Sequence, residues 1–189
     1  PRSRAVRGSG GTADSSSASF LAPSHGDAAA LALTFRPRHY LAVPPESTRL
    51  AGPLGGLDAT LGIRLVHCGP DEVVLEYDVD DRHRQPYGIV HGGMHCTAVE
   101  TACSMGAAMA AATRDQAVVG IENHTSFVHA VREGRITVTA RPLTRGRRSQ
   151  LWQADARTGD GTLVASGRVR LLALARGSAL AGETVAVKR

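Results

Sequence analysis

Glu100 is the first residue whose type and setting could do chemistry. It lies in MHCTAVETACSMGAAMAAAT, residues 94–113, whose Ala- and Met-rich composition predicts a helix that is apolar nearly all round. Four polar side chains spaced i, i+3, i+4 and i+7 share one face of that helix: Thr97, Glu100, Thr101 and Ser104. A carboxylate on an otherwise buried helix is costly unless it is paired or used. The pattern leaves two interpretations open, a structural contact or a catalytic acid.

The sequence His91-Gly92-Gly93 stands at the start of the same helix. Two glycines let a ligand approach the backbone closely, because no Cβ intervenes. The first amides of a helix lack internal partners and carry the positive end of its dipole. The segment therefore fits either a tight turn into the helix or a site for a developing oxyanion, such as the polarised oxygen of a thioester.

The spacing of Gly92 and Glu100 restricts how they could cooperate. The two residues are eight positions apart, which is about 12 Å along a helix at ~1.5 Å per residue. A catalytic acid and an oxyanion donor must both lie about 3 Å from one reacting group. If both act, Glu100 of one copy must face Gly92 of another, and two helices related by a twofold axis would form two such sites.

The elements around this helix are predicted from alternation and turn signals. Two strand-like runs precede the helix, which spans about 91–113, and four follow it, in the order ββαββββ. The runs are 61–68, 72–79, 117–128, 134–143, 148–157 and 163–174. This order predicts an α+β fold, an antiparallel sheet with one buried helix.

The ends of the chain are predicted to lie outside this domain. Residues 1–50 are rich in Gly, Ser and Arg without an apolar period, which predicts a disordered N-terminal extension. An Arg- and Ser-rich start also fits a transit peptide. Residues 177–189 are predicted to be a C-terminal tail. The net charge is +5, but much of it lies in the N-terminal segment, where Ser and Gly dilute the arginines, so we expect neither nucleic acid nor a membrane as partner.

Three cysteines, Cys68, Cys96 and Cys103, form no paired spacing. An odd count without such spacing argues against a disulfide framework and favours a reducing compartment, the cytoplasm. No apolar run reaches the ~18 residues needed to span a bilayer.

Four stretches of this sequence resemble the hotdog-fold acyl-CoA thioesterases, in particular the branch that acts on 4-hydroxybenzoyl-CoA, 1,4-dihydroxy-2-naphthoyl-CoA and phenylacetate-pathway thioesters. The stretches are RQPYGIVHGG (84–93), AVETACS (98–104), VVGIENHTSFVHAVREG (118–134) and PLTRGRRSQLWQADA (142–156). The resemblance covers about residues 54–174. It implies a hotdog domain over 51–176, with the sheet wrapped around one long central helix. It also implies hydrolysis of an acyl- or aroyl-CoA to free acid and CoA, by a homodimer that pairs into a dimer of dimers.

The resemblance assigns catalytic roles to five residues. Glu100 matches the catalytic acid, as nucleophile or as the base that activates a water. Gly92 matches the glycine whose N–H polarises the thioester carbonyl. Gln85 matches a glutamine that positions the thioester and the water. His91 would orient the thioester or assist the leaving thiolate, and Ser104 would hold Glu100 or the water.

The resemblance also places CoA along the third strand and the loop before the fifth. The matching residues are Gly120, Ile121, Glu122, Asn123, Thr144, Arg145, Gly146, Arg147, Arg148 and Ser149. The arginines suit phosphate groups, because a guanidinium pairs bidentately with phosphate oxygens. A solvated hairpin turn is the alternative for this loop. No metal or redox cofactor is expected.

Other classes of site and function fit the residues less well. His91 and His95 are four apart, a spacing found in metal helices, but Gly-Gly separates them and Glu100 is on another face. A Ser or Cys nucleophile with a His base is disfavoured, because the sequence contains no nucleophile-elbow pattern. A non-catalytic acyl-CoA-binding or regulatory hotdog protein is the competing class, since fold does not fix function. A hotdog hydratase would need an acid–histidine pairing that the sequence lacks.

Overall fold

The computed structural model describes residues 54–175 and 177–184. The elements in chain order are α1 (Gly56–Thr60), β1 (Arg64–Cys68), β2 (Val73–Asp78), α2 (Gly92–Ala112), β3 (Gln116–Phe127), β4 (Arg135–Arg145), β5 (Ser149–Thr158), β6 (Leu163–Ala175), β7 (Ala179–Leu180) and β8 (Glu183–Thr184). The predicted ββαββββ order is confirmed for β1 to β6. The predicted extension, residues 1–50, lies outside the described residues.

Three short elements were not predicted from the sequence. They are α1, a single 3-10 turn at Asp81–His83, and the β7–β8 hairpin, which occupies part of the segment expected to be a tail. Each helix or strand among them spans five residues or fewer. Such short runs carry too little periodicity to be distinguished from loop.

The main sheet has six strands in the order β1-β2-β4-β5-β6-β3, and every neighbouring pair is antiparallel. After α2 the chain therefore enters the far edge of the sheet, and β3 pairs only with β6 among the described strands. An edge strand presents a row of backbone groups without strand partners. At 12 residues, β3 is a long edge.

Helix α2 lies against the sheet, and small residues allow the approach. A Cβ added to Gly106 would lie 2.4 Å from Cζ3 of Trp152, so the indole ring packs directly on the helix backbone. The indole Nε1 donates to Gln150 Oε1 at 3.0 Å, and Gln150 Nε2 donates to the carbonyl of Ala107 at 3.0 Å. These buried hydrogen bonds fix the position of α2 relative to β5.

A β-bulge in β3, between Gly120 and Glu122, determines which side chains face the helix. Before the bulge, Val118 packs against the core. Beyond it, the amide of Asn123 reaches α2, whereas the carboxylate of Glu122 pairs with Arg170 on the other face of the sheet. Side chains alternate across a strand, and one extra residue inverts that alternation. Without the bulge, Glu122 rather than Asn123 would face the helix.

Candidate active site

Glu100 lies half-buried in the third turn of α2, and both of its carboxylate oxygens are held. Ser104 Oγ donates to Oε1 at 3.2 Å, one helical turn further on. Asn123 Nδ2 donates to Oε2 at 3.2 Å from the edge strand. Neither partner is charged, so the carboxylate is oriented without being neutralised by a cation. This arrangement suits a group that must accept a proton or attack a carbon.

The carboxylate also rests directly on the backbone of β3. A Cβ added to Gly120 would lie 2.1 Å from Glu100 Oε1. Any side chain at position 120 would therefore displace the acid from its two donors. The resemblance placed Gly120 among the CoA-binding residues, whereas its nearest neighbour in this chain is Glu100.

Asn123 connects several parts of the site. Its Nδ2 donates to the Cys96 carbonyl at 3.0 Å as well as to Glu100, and its Oδ1 accepts from Thr125 Oγ1 at 2.6 Å. Thr125 fits because its strand neighbour is Gly167, where a Cβ would lie 2.4 Å from Thr125 Oγ1. Asn123 was expected to contact CoA, and its contact with the acid was missed at the level of sequence. That contact depends on the bulge, which has no clear sequence signal.

The polar side chains predicted to share one face of α2 have different hydrogen-bond partners. Thr97 Oγ1 donates to the carbonyl of Gly93 within the helix, and Thr101 Oγ1 donates to Asp58 of α1 at 2.8 Å. Of the other three side chains on this face, only Ser104 forms a hydrogen bond with Glu100. The hydrogen bond between Thr101 and Asp58 joins α1 to α2.

At the start of α2, one amide is left for a ligand. His91 is the N-cap, and its Nδ1 accepts from the N–H of Gly93 at 2.8 Å. The N–H of Met94 donates to the His91 carbonyl. Among the residues that the structure describes, the N–H of Gly92 has no hydrogen-bond partner. Since His91 occupies the other first-turn donors, Gly92 is the donor suited to an incoming oxygen.

Gly92 opens onto a cavity of about 220 Å³. The cavity has both apolar and polar walls and is lined by Gln85, Ile89, Val90, Gly92, His95, Phe127, Val128, His129 and Ala130. Neither Glu100 nor Ser104 belongs to this lining. The structure thus brings Gln85 to Gly92 and Ser104 to Glu100, and it keeps these two pairs apart.

Two buried side chains, one of which lines the cavity, were not identified as partners in the sequence. Tyr77 of β2 and His95 of α2 are joined through Tyr77 OH and His95 Nδ1 at 3.1 Å. Burial lowers the pKa of His95 to about 4, so its imidazole is neutral near neutral pH. Burial raises the pKa of the Tyr77 hydroxyl above its ordinary value, so the phenol keeps its proton.

The β4–β5 turn carries the arginines expected to meet CoA. Arg145 is already engaged, because its Nη1 donates to Asp71 Oδ1 at 2.7 Å and to the Pro70 carbonyl. The guanidinium groups of Arg147 and Arg148 are exposed and make no side-chain hydrogen bond to another described residue. Arg114, which was not identified from the sequence, reaches the carbonyl of Gly146 at 3.4 Å and adds a fourth arginine to the turn.

Within 54–175 and 177–184, no three His, Cys, Asp or Glu side chains converge as ligands for a metal ion. In the same segments, no helix combines the length and apolar character required to cross a bilayer.

Comparison with known proteins identifies the family. A sequence profile described as "Thioesterase superfamily" matches residues 87–165, a range that includes Gly92, Glu100 and Asn123. The Mycobacterium tuberculosis protein named "Putative esterase Rv1847" is 38% identical over 116 residues, which cover 60% of this chain and 83% of that protein. The chain belongs to the thioesterase superfamily.

Further relatives of this thioesterase agree in sequence and fold. The 1,4-dihydroxy-2-naphthoyl-CoA hydrolase of Escherichia coli K12 is 35% identical over 115 residues, 61% of this chain and 84% of that protein. The structure of Rv1847 superposes with a TM-score of 0.62, over 62% of this chain and 95% of that one. A Haemophilus influenzae thioesterase, HI1161, gives a TM-score of 0.59 at 31% identity, over 62% and 82% of the two chains. The chain is a thioester hydrolase, and the predicted hotdog fold, a sheet wrapped around one long helix, is confirmed.

Proposed function

We propose that this thioesterase hydrolyses an acyl- or aroyl-CoA to the free acid and CoA, with Glu100 as nucleophile or general base. The observation that carries the proposal is the half-buried carboxylate of Glu100, held by the neutral donors Ser104 and Asn123 on the central helix and the edge strand. The E. coli relative named as a 1,4-dihydroxy-2-naphthoyl-CoA hydrolase supports a CoA thioester as the substrate class.

The amide of Gly92 is the proposed donor to the thioester oxygen. Negative charge grows on that oxygen when the carbonyl carbon is attacked, and a preorganised N–H at a helix start stabilises it. Gln85 lines the same cavity and would position the thioester and the water. His91, which caps the helix through Nδ1, keeps Nε2 available to orient the thioester or to assist the departing thiolate.

Two routes fit the position of Glu100. As nucleophile, its oxygen bonds to the carbonyl carbon, the C–S bond breaks, CoA thiolate leaves and takes a proton, and water then hydrolyses the mixed anhydride. As base, Glu100 takes a proton from a water whose oxygen attacks the same carbon, and the C–S bond breaks in the same way. ¹⁸O found in Glu100 after a single turnover in ¹⁸O-water would identify the nucleophilic route, because only a mixed anhydride exposes the Glu100 carbon to attack by water. Label confined to the free acid would show that water attacked the acyl carbon, as the base route requires.

A second copy of the chain completes the proposed site. Gly92 and Glu100 are about 12 Å apart along one helix, and only the first lines the cavity. The long edge strand β3 lies beside both and, with the residue after it, exposes the apolar side chains Ile121, Phe127 and Val128. Antiparallel pairing of two β3 edges about a twofold axis would continue the sheet across both copies. We further propose that these dimers pair into a dimer of dimers.

The nucleotide of CoA is assigned to the β4–β5 turn and the adjacent strand β3. Arg147 and Arg148 project from that turn without side-chain hydrogen bonds to described residues, and exposed guanidinium groups suit phosphates. Gly146 keeps the turn tight, since a Cβ there would lie 2.7 Å from the Ser149 carbonyl oxygen. Thr144, Ile121 and Glu122 complete the proposed surface.

We propose that the reaction needs neither a metal nor a redox cofactor, because a carboxylate and positioned dipoles can supply both the attack and the charge stabilisation. Undiminished thiol release after treatment with a chelator is the expected result.

The three free thiols, Cys68, Cys96 and Cys103, suit a reducing compartment, and we place the protein in the cytoplasm.

The test is release of free thiol from a panel of acyl- and aroyl-CoA substrates. Glu100→Gln keeps the size of the side chain and removes the carboxylate, and we expect kcat to fall by about 10²–10⁴-fold, the range for a lost acid–base group. Glu133→Gln, on an exposed loop, is the matched control. Unchanged release by Glu100→Gln would overturn the catalytic assignment. Tight acyl-CoA binding by wild type with no release from any substrate would identify a binding protein instead.

A further inference from the structure

The cavity at Gly92 contains a second candidate donor, the imidazole of His95. His95 follows Gly92 by three residues, and side chains on a helix lean towards its N-terminus, so the ring covers the turn that Gly92 begins. The ring of Phe127 lies close to both residues. A Cβ on Gly92 would lie 2.6 Å from Cε2 of Phe127, and the ring centroids of Phe127 and His95 are 6.2 Å apart. Gly92, His95 and Phe127 therefore meet at one end of the cavity.

The hydrogen bond to Tyr77 determines the tautomer of His95. Tyr77 is fully buried, and within the described residues its hydroxyl contacts no polar atom except His95 Nδ1. If Nδ1 carried the proton, the phenol hydrogen would be buried without an acceptor, which costs about 1–3 kcal/mol. The phenol therefore donates, Nδ1 accepts, and the imidazole proton resides on Nε2.

The Nε2–H group is directed at the cavity. His95 is only 3% exposed, and no described residue accepts a hydrogen bond from its Nε2. Every fully enclosed side-chain nitrogen and oxygen in the described part of the chain has a partner. Nε2 is therefore not enclosed by protein, and the space it meets is the cavity that His95 lines. A nine-tenths-buried side chain thus presents one unused donor to the cavity that Gly92 also lines.

We propose that His95 Nε2–H is a second hydrogen-bond donor to the thioester carbonyl oxygen, acting together with the N–H of Gly92. The inference rests on the proposed function, which puts that oxygen at Gly92. Oxyanion sites commonly use two donors, and removing one side-chain donor costs about 10²–10³-fold in kcat. A neutral imidazole suits the role because it polarises the oxygen and keeps its own proton throughout the reaction.

Tyr77 is the positioning residue of this pair. It contacts His95 rather than the cavity, and it holds the ring with the Nε2 proton facing outward. Tyr77→Phe preserves the aromatic ring and removes only the hydroxyl, so both tautomers of His95 become accessible. Partial loss of kcat is expected, smaller than the loss from removing the imidazole itself.

Kinetics of three variants test the donor role. For His95→Leu we expect kcat to fall by about 10²-fold, similarly for every acyl-CoA in the panel, with KM within about threefold. His95→Gln, which keeps an N–H donor, is expected to recover part of that loss, and Tyr77→Phe to give an intermediate value. Unchanged kcat in His95→Leu would overturn the proposal, as would a loss confined to acyl groups that carry their own polar substituents.

A measurement on the wild-type protein covers the case in which variants fail to fold. Two-bond ¹H–¹⁵N correlation spectra of ¹⁵N-histidine-labelled protein distinguish the two neutral tautomers, and we expect the Nε2–H form for His95. The Nδ1–H form would overturn the proposal. Glu100→Gln, assayed in parallel, distinguishes failure of the His95 role from failure of the proposed function. If Glu100→Gln is inactive while His95→Leu retains full kcat, only the role of His95 fails. If wild type releases no thiol from any acyl-CoA, the proposed function fails, and this role with it.

Discussion

At the scale of single residues, glycines determine where the reacting groups can lie. Gly120 allows the carboxylate of Glu100 to rest on the edge strand, and Gly92 allows Phe127 to pack on the first turn of α2. Neither position has room for a side chain without movement of its neighbour. An added Cβ atom would lie 2.1 Å from the nearest atom at Gly120 and 2.6 Å from the nearest atom at Gly92. Small changes there should affect activity more than stability.

Gly120→Ala is expected to displace Glu100. The nearest atom is the end of a flexible side chain, so the carboxylate can move aside and the fold should survive. A misplacement of about 1 Å can cost about 10²-fold in rate, and we expect a fall in kcat of that order. Thiol release and the thermal midpoint are the measurements. Gly159→Ala, where a Cβ meets open space, is the control, and equal kcat in both variants would contradict the assignment.

Gly92→Pro removes the proposed amide donor. Proline is well tolerated at the first helical position, and His91 already has the extended backbone, with φ −67° and ψ 135°, that a following proline requires. Gly92→Ala introduces the same Cβ beside Phe127 but keeps the N–H, so the difference between the variants isolates the donor. We expect kcat of the proline variant to be lower by about 10²-fold than that of the alanine variant. Similar rates would argue that another group polarises the thioester.

At the scale of elements, α2 is a helix enclosed by a sheet rather than an amphipathic surface helix. Its buried residues are Met94, His95, Ala98, Val99, Ala102, Cys103, Gly106, Ala107, Ala110 and Ala111. The five alanines and Gly106 among them bring the backbone of α2 close to the strands, and Gly106 lies directly against the indole of Trp152. The helix sets the separation of Glu100 and Gly92, and this close packing fixes the position of the helix against the strands.

Gly106→Ala should therefore destabilise the protein. In a helix interior, replacing Gly by Ala ordinarily stabilises by about 0.5–1 kcal/mol. Here the added methyl would overlap Trp152, and overpacking costs about 1–3 kcal/mol, so we expect a net loss in the free energy of unfolding. Urea denaturation measures it. The same substitution in a Trp152→Phe background should cost less, and an equal cost in both backgrounds would show that the indole contact is not responsible.

At the scale of the whole molecule, one chain contains two halves of the proposed site, and these halves do not meet. The Gln85–Gly92 half lines the cavity, and the Ser104–Glu100–Asn123 half lies further along α2 beside the edge strand. The proposed dimer would bring the first half of one copy to the second half of its partner, giving two sites per pair.

Mixed dimers test this arrangement directly. Glu100→Gln and Gly92→Pro chains, each almost inactive alone, are co-expressed with different affinity tags, and the doubly tagged species is purified. One of its two sites would combine an intact Gly92 with an intact Glu100, so about half of wild-type activity should return. No recovery in the mixed species would indicate that each site lies within one chain. Mixing the purified variants without subunit exchange provides the baseline.

The sequence by itself determined the strand and helix order, because six strands and one Ala-rich helix each carry enough periodicity to be recognised. It also indicated Glu100, since a carboxylate on a buried helix is costly. The rise of a helix then showed that Glu100 and Gly92 of one chain are too far apart to act on one group. Ser104 was predictable beside Glu100 for a related reason, as i+4 neighbours on a helix meet. These are local relations, which spacing along the chain encodes.

Only the tertiary structure decided which strand residues meet the helix. The bulge at Gly120 turns Asn123 towards Glu100 and Glu122 away from it, and one residue of register inverts every later side chain. Likewise, Tyr77 and His95 are 18 positions apart and belong to different elements, so their contact follows from packing rather than from sequence spacing. The position of β3 at the edge of the sheet was also beyond the sequence, because strand order depends on long-range pairing energies that no single segment expresses.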